Sequence, residues 1–291
     1  MKKKGRKIYH SIGADLVCEI KNVSAPLDDT CDMHNHTCHE ILIINNGKLN
    51  LFTEHSGIEL SHGDVALIPK YVFHRGELLT PGLYDRIVIN VNESVIDAAS
   101  DAQYDLNSCF KPYNDKNIHT IHLEEDELEE LTKHCIRLGE NLFSKTPESG
   151  ILTDAYFKLI MVILNRKYRQ SEIALSPDKL PDIVKRTFHY IDEHLTEDIS
   201  LKTLEDEIHN NGTYISRCVK KISGLSLSQY IIAKRISLAC RMLRHGTTAN
   251  EACYQSGFNN YSNFSRTFTK QVGVSPKQYQ VEYRRGVIAN K

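Results

Sequence analysis

The C-terminal third of the chain repeats itself at a spacing of 49 residues, and this repeat limits the fold more tightly than any other feature. Asn210, Asn211, Ser216, Arg217, Lys221, Gly224, Ser226, Gln229 and Tyr230 fall on Asn259, Asn260, Ser265, Arg266, Lys270, Gly273, Ser275, Gln278 and Tyr279. Ile215 falls on Phe264 and Val219 on Phe268, so apolar positions four apart stay apolar, as one face of a helix requires. Each copy reads helix, turn, helix. In the first, Leu201, Leu204 and Ile208 form the inner face of a short helix. His209-Asn210-Asn211-Gly212 makes the turn, and 213–222 forms the second helix. In the second copy, Gly257-Phe258-Asn259-Asn260 makes the turn and 261–271 the outer helix. Leu227 to Leu243 predicts one continuous connecting helix, about 25 Å long at ~1.5 Å per residue.

Charge identifies the partner of the repeat. Between Ile208 and Lys291 stand thirteen Lys or Arg against only Glu251 and Glu282, a surplus of eleven positive charges in 84 residues. The net charge of −1 over 291 residues hides this, because residues 1–180 carry 20 basic and 27 acidic side chains. So local a surplus is the footprint of a phosphate backbone. Thr213, Ser216, Arg217 and Lys220 lie on or beside the outward face of the first outer helix, with Lys221 next to them. Tyr261, Ser262, Ser265 and Arg266, with Lys270 a turn further on, do the same in the second. The planar fork of arginine suits guanine O6 and N7, while Ser, Thr and Tyr reach base edges or phosphates. The connecting helix and its flanks are expected to hold the two outer helices roughly the ~34 Å of one DNA turn apart.

The N-terminal half has a different period. Residues 8–20 and 41–92 read as strands. The Ile41 to Ile44 run ends at Asn45-Asn46-Gly47, a hairpin signal, and the Val65 to Ile68 run ends at Pro69. Short strands with Gly and Pro between them indicate a small β-barrel or sandwich. From Glu124 the spacing becomes helical: Leu128, Leu131, Cys135, Leu138 and Leu142 form one stripe on an otherwise acidic helix. Leu152, Tyr156, Leu159 and Ile163 form another on a helix over 150–168. An apolar seam on a charged helix must meet a partner, and the expectation is that a second subunit supplies part of it. Pro177 and Pro181 mark a linker. The fold class is therefore α+β with two domains. A β-barrel over 1–123 and a helical, dimerising pair over 124–170 lead through a linker, 171–181, to an all-α domain with two helix-turn-helix units over 182–285.

The densest polar constellation is His34-x-His36-x3-Glu40, to which His74 on another strand can be added. Residues 34, 36 and 40 share parity in an extended segment. Three imidazoles and a carboxylate could hold a divalent transition metal, or line a polar pocket without one. The six-residue gap between Cys31 and Cys38 fits no usual zinc-knuckle spacing. Catalytic triad order, phosphate-binding loop and dinucleotide fingerprint are all missing from the sequence, so neither an enzyme nor a bound cofactor is expected. Eight cysteines without a CxxC pair, and no apolar run near ~20 residues, predict reduced thiols, a cytoplasmic location and no membrane.

Residues 181–285 closely resemble the AraC/XylS-type DNA-binding domain. The likeness rests on Gly257-Phe258, on Phe264-Ser265-Arg266-x-Phe268-x-Lys270 and on Gly273-x-Ser275-Pro276-x-x-Tyr279. The histidine run with Gly47, Gly63, Pro69 and His74 is similar to the two cupin motifs. The resemblance implies a dimeric transcription regulator, an activator, that binds promoter DNA and works with RNA polymerase. A cupin-like domain would sense a small-molecule effector, a sugar among the candidates, at His34, His36, Glu40 and His74. Base contacts would come from Thr213, Ser216, Arg217, Tyr261, Ser262, Ser265 and Arg266, whereas Arg235 would pack and form a salt bridge. Glu205 departs from the small residue usual at its position. Ala249, Ala252, Cys253 and Ser256 leave less apolar area than the family norm, which predicts a looser second unit. The alternative class is a metal-dependent cupin enzyme, or a metal sensor, joined to a DNA-binding domain.

Overall fold

The computed structural model describes residues 7–10, 15–25, 32–79, 81–111, 118–170 and 178–284. Among these residues, nine strands precede most of the helices: β1 (Lys7–His10), β2 (Leu16–Ala25), β3 (His39–Asn46), β4 (Leu49–Thr53), β5 (Gly57–Leu60), β6 (Asp64–Ile68), β7 (His74–Leu78), β8 (Gly82–Val91) and β9 (His119–His122). They form two antiparallel sheets, one ordered β1-β2-β8-β3-β6-β9 and one ordered β5-β4-β7. The Asn45-Asn46-Gly47 turn does not close a hairpin. β3 pairs with β6 and β8, and β4 pairs with β5 and β7, so this turn carries the chain from one sheet to the other.

Strand parity then sorts the side chains into two cores. Ile41 and Ile43 of β3, Val65 and Leu67 of β6, and Ile87 and Ile89 of β8 face the helices. Leu42 and Ile44, Ala66 and Ile68, and Val88 face the smaller sheet. Because β3 is covered on both faces, it reads as a continuous apolar run instead of an alternation.

A short helix, α1 (Glu93–Ala99), and a 3₁₀ turn at Leu106–Phe110 lead through β9 to α2 (Glu125–Phe143) and α3 (Ser149–Gln170). Here the seam expected at a subunit boundary lies inside the chain. Leu131 and Leu138 are 0% exposed and share one core with Ile41, Ile89, Phe157, Ile160 and Leu164. The buried side of α3 is Phe157, Ile160, Met161 and Leu164, whereas Leu152 and Leu159 of the expected stripe are 37% and 46% exposed. The helix pair is therefore the outer layer of the N-terminal unit.

Seven further helices follow: α4 (Asp182–Glu193), α5 (Leu201–Ile208), α6 (Gly212–Ser223), α7 (Leu227–Arg244), α8 (Ala249–Gln255), α9 (Tyr261–Val272) and α10 (Pro276–Arg284). Ser200 caps α5 by accepting from Thr203 N, and Val184, Phe188 and Ile191 of α4 are buried as their spacing predicts. Leu201, expected on the inner face of α5, is 42% exposed, lying over Gly212 at the start of α6. Most of the linker falls outside the described residues, but its end is docked. Lys179 N donates to Gly57 O at 2.7 Å, Gly57 N donates to Asp178 Oδ1 at 2.9 Å, and Leu180 is buried.

With Leu131 and Leu138 in the single-chain core, Leu138→Ala should cost about 2–5 kcal/mol in denaturant unfolding. Replacing both by Lys should abolish folding of the N-terminal unit. A folded, monomeric double variant would return the seam to a subunit boundary.

Candidate nucleic-acid interface and histidine pocket

The two outer helices of the repeat are α6 and α9, and local sequence fixes both ends of each. Asn211 caps α6 by accepting from Thr213 N at 3.0 Å, and Asn260 caps α9 by accepting from Asn263 N at 2.9 Å. Gly224 and Gly273 end them in the left-handed conformation. Ile215 and Val219 are buried on α6, Phe264 and Phe268 on α9. On the opposite faces Thr213, Arg217, Lys220 and Lys221 are exposed and Ser216 is half-buried. Ser262, Arg266 and Lys270 are exposed, with Tyr261 and Ser265 half-buried. Tyr261, Ser262, Ser265, Arg266, Thr269 and Lys270 line one shallow surface groove. Thr269, which sequence reasoning passed over, belongs to that face.

The repeat is not uniform. The left-handed residue after the first helix of each pair is His209 in one unit and Gly257 in the other, 48 residues apart, whereas the caps Asn211 and Asn260 are 49 apart. The first turn is thus one residue shorter, and Glu205 adapts to it. Its Oε1 accepts the Gly212 N–H, which lies at the positive N-terminal end of α6. Nor is the second unit loosely packed. Ala252, Cys253 and Ser256 are fully buried, and Phe258, Phe264, Phe268 and Tyr279 form a chain of rings 5.2 to 5.6 Å apart that fills the space small residues leave.

Arg235 on α7 turns toward the end of α4. Its Nε donates to Leu195 O at 2.9 Å and its Nη2 to Glu197 O at 2.6 Å. It therefore satisfies carbonyls beyond the end of α4. A Cβ on Gly257 would come within 2.9 Å of both the Arg235 Nε and Leu195 O, which is why the Gly-Phe pair begins with glycine.

The second constellation lies between the sheets. Glu40 has the parity of Leu42 and Ile44 and so faces the smaller sheet, while its neighbour His39 faces the other way and packs on Phe110 at 4.3 Å. Burial pushes the His39 imidazole down to about 4, so it is neutral. His34, His36 and His74 converge on one another, with ring centroids 4.7 to 5.4 Å apart and one nitrogen of each ring within 4.8 Å of the others. His36 Nε2 lies 3.1 Å and His74 Nε2 3.6 Å from Glu40 Oε2. Burial works against the Glu40 charge, but the His36 and His74 imidazoles outweigh it and hold the carboxyl well below its usual range. His34 Nδ1 is 2.8 Å from Asp32 O and His74 Nδ1 is 2.9 Å from Val72 O. A carbonyl only accepts, so both Nδ1 atoms carry a proton, and in its neutral form each ring presents an Nε2 lone pair.

The cavity beside this cluster measures about 350 Å³ and is also lined by Lys21, Tyr84, Arg86 and Asn90. Cys38 is no ligand here. Burial raises its thiol to about 12, its Sγ contacts Asn90 Oδ1, and Cys31 lies outside the described residues.

Two helical units with capped outer helices and open basic faces define a double helix-turn-helix protein. Residues 204–282 match the helix-turn-helix domain family, and this segment is an AraC-type DNA-binding domain. Over 235 residues, 80% of this chain and 30% of the relative, the sequence is 24% identical to an HTH-type transcriptional regulator of Staphylococcus aureus strain MSSA476. Over 104 residues it is 35% identical to the HTH-type transcriptional regulator YobQ of Bacillus subtilis, covering 35% of this chain and 43% of YobQ. The chain thus spans about a third of the length of the staphylococcal relatives it matches. Among solved structures, ToxT from Vibrio cholerae aligns over 92% of this chain and 98% of its own, with 18% identity and a TM-score of 0.40. Among the described residues, no helix is long and apolar enough to cross a membrane.

Loss of the two Arg235 bonds leaves carbonyls without partners in a half-buried setting. Arg235→Met should therefore lower the stability of the helical domain by about 2–3 kcal/mol, seen as an earlier thermal transition in far-UV circular dichroism. An unchanged melt would show that water replaces the guanidinium there.

Proposed function

We propose that this chain is a sequence-specific DNA-binding transcription regulator in which α6 and α9 enter successive major grooves of promoter DNA. The observation that carries this reading is that, among the described residues, both outer helices keep their basic, hydroxyl-bearing faces open to solvent while their apolar faces are buried. Thr213, Ser216, Arg217, Tyr261, Ser262, Ser265 and Arg266 then reach base edges, and Lys220, Lys221 and Lys270 hold phosphates. The 18 residues of α7, at ~1.5 Å each, span about 27 Å. With its flanks, that suits helices one DNA turn apart.

The N-terminal unit is read as a cupin-like sensor. Its cavity lies within the usual range for small-molecule sites, and Lys21, Arg86 and the histidines suit a small polar effector, a sugar or sugar acid, at His34, His36, Glu40 and His74. Phe143, Ile151, Leu152 and Leu159 are exposed on the helix pair. This favours a two-fold contact there, on the side away from the core. Activation through RNA polymerase follows from the family likeness. A second reading, a metal-dependent enzyme or metal sensor, is favoured by the two Nε2 atoms that His34 and His74 present beside His36 and Glu40. Metal analysis of untagged protein, with His34→Ala and His74→Ala as controls, followed by turnover assays on metal-loaded protein, separates the enzyme from the sensor.

The DNA reading is tested by selecting bound duplexes from random sequence. Arg217→Ala and Arg266→Ala should each cost about 1–3 kcal/mol and relax base preference locally. Lys220→Ala or Lys221→Ala should weaken every duplex alike and lower the salt slope by about one. Failure to select any sequence would overturn the proposal.

A further inference from the structure

The segment Asp32–Thr37 has two working edges. On the inner edge, His34 and His36 face the cavity, and His34 pairs with His74 through two backbone bonds, His34 N to His74 O at 3.0 Å and His74 N to His34 O at 2.8 Å. On the outer edge, the same few residues grip the DNA-binding half. Met33 N donates to Ser223 O at the end of α6 at 2.7 Å, and Asn35 Nδ2 donates to Ser237 Oγ on α7 at 2.7 Å. Asp32 presses on Gly224, where a Cβ would meet Asp32 Oδ1 at 2.5 Å and the φ of +79° already favours glycine. Arg75, next to His74, adds two bonds from Nη1 to Lys221 O and Ile222 O at 2.7 and 2.8 Å. The histidine cluster and the end of the first DNA-facing helix are thus separated by a single layer of backbone.

The cluster is also built to be filled. His74 is 3% exposed, and its Nε2 makes no hydrogen bond among the described residues, its approach to Glu40 Oε2 being 3.6 Å. A buried polar atom held this loosely is costly, and it faces the Glu40 carboxylate, 3.6 Å away, beside the His36 nitrogen. Three imidazoles and one carboxylate suit Mn, Fe, Co, Ni or Zn, and leave coordination positions for oxygen atoms of a polar effector.

We propose that a divalent transition metal held by His34, His36 and His74, with Glu40 beside His36 and His74 to balance its charge, stiffens the 32–37 segment, and that this segment relays the metal's presence to the end of α6 and to α7. The proposal rests on reading the cluster as the sensing site. Metal loading of the N-terminal unit then sets how the DNA-binding half is held. Linkage makes the coupling reciprocal: whatever docking metal favours must in turn favour metal.

The test uses the full chain without a histidine tag, with Co(II) as the probe. The visible Co(II) absorption should saturate near one equivalent and vanish in His74→Ala and His34→Ala. Hydrogen exchange should then slow at least five-fold in peptides covering 32–37 and 74, and also in 221–226 and 232–240. In Asn35→Ala the Co(II) spectrum and the protection of 221–226 should persist, while the protection of 232–240 is lost. Absence of a histidine-dependent spectrum overturns the site. A normal spectrum without slower exchange in the helical half overturns the relay, as does full protection of 232–240 in Asn35→Ala. None of these readouts involves DNA, so failure of the relay is distinct from failure of the DNA-binding reading.

Discussion

Tyr230 sits where the two halves of the chain meet. It is fully buried, stacks on Phe188 at 4.5 Å between ring centroids and meets Phe73 edge-on at 6.3 Å. Its hydroxyl donates to Glu54, which also accepts from Lys234, and Lys234 in turn pairs with Asp192. Around this group Met33, Phe52 and Phe73 of the N-terminal half share one core with Val184, Phe188, Ile215, Val219 and Ile222 of the helical half. Burial pushes the Glu54 carboxyl up, and Lys234 pulls against it. A buried ion group of this kind adds little net stability, because desolvation offsets its attraction. What it does supply is a single register. Sliding one half against the other would leave charges buried without partners.

Because the halves share a core, the two outer helices are presented on a fixed surface. α6 is held at its start by Asn211 and Glu205, along its length by Ile215 and Val219, and at its end by contacts from Met33 and Arg75. The order of α9 comes instead from the ring chain through Phe258, Phe264, Phe268 and Tyr279. The two outer helices therefore differ in what can move them, although they repeat in sequence. The first is tied to the sheet half directly, the second through Arg244, which donates to both Tyr71 of that half and Tyr279 of the ring chain.

Much of the candidate site was legible because it is local. Helix periodicity, Asn caps and Gly ends are written within a dozen residues, so α6 and α9 and their exposed faces follow from spacing and charge alone. Parity likewise put Glu40 with His34 and His36, even though the chain at 34–38 is irregular and only His34 forms a bridge. Spacing misleads where more than one apolar face is available. α3 carries apolar side chains on nearly every side, and amphipathicity could not say that Phe157, Ile160 and Leu164 would face the sheet and Leu152 and Leu159 the solvent. The shorter first turn was hidden because matching the outer helices at 49 residues conceals a shift of 48 in the helices before them.

The sequence by itself determined the class of each half, the double helical unit and its charge, and the four polar side chains able to share a cavity, since each depends on short-range spacing. Strand pairing, by contrast, is a competition among distant segments of similar character. Only the folded chain decided that Asn45-Asn46-Gly47 crosses between sheets and that Leu131 and Leu138 are core. Nothing local to Asn35, Arg75 or Glu54 marks them out. Their partners lie 202, 146 to 147 and 176 to 180 residues away, and contacts at such separation arise only once both halves have packed.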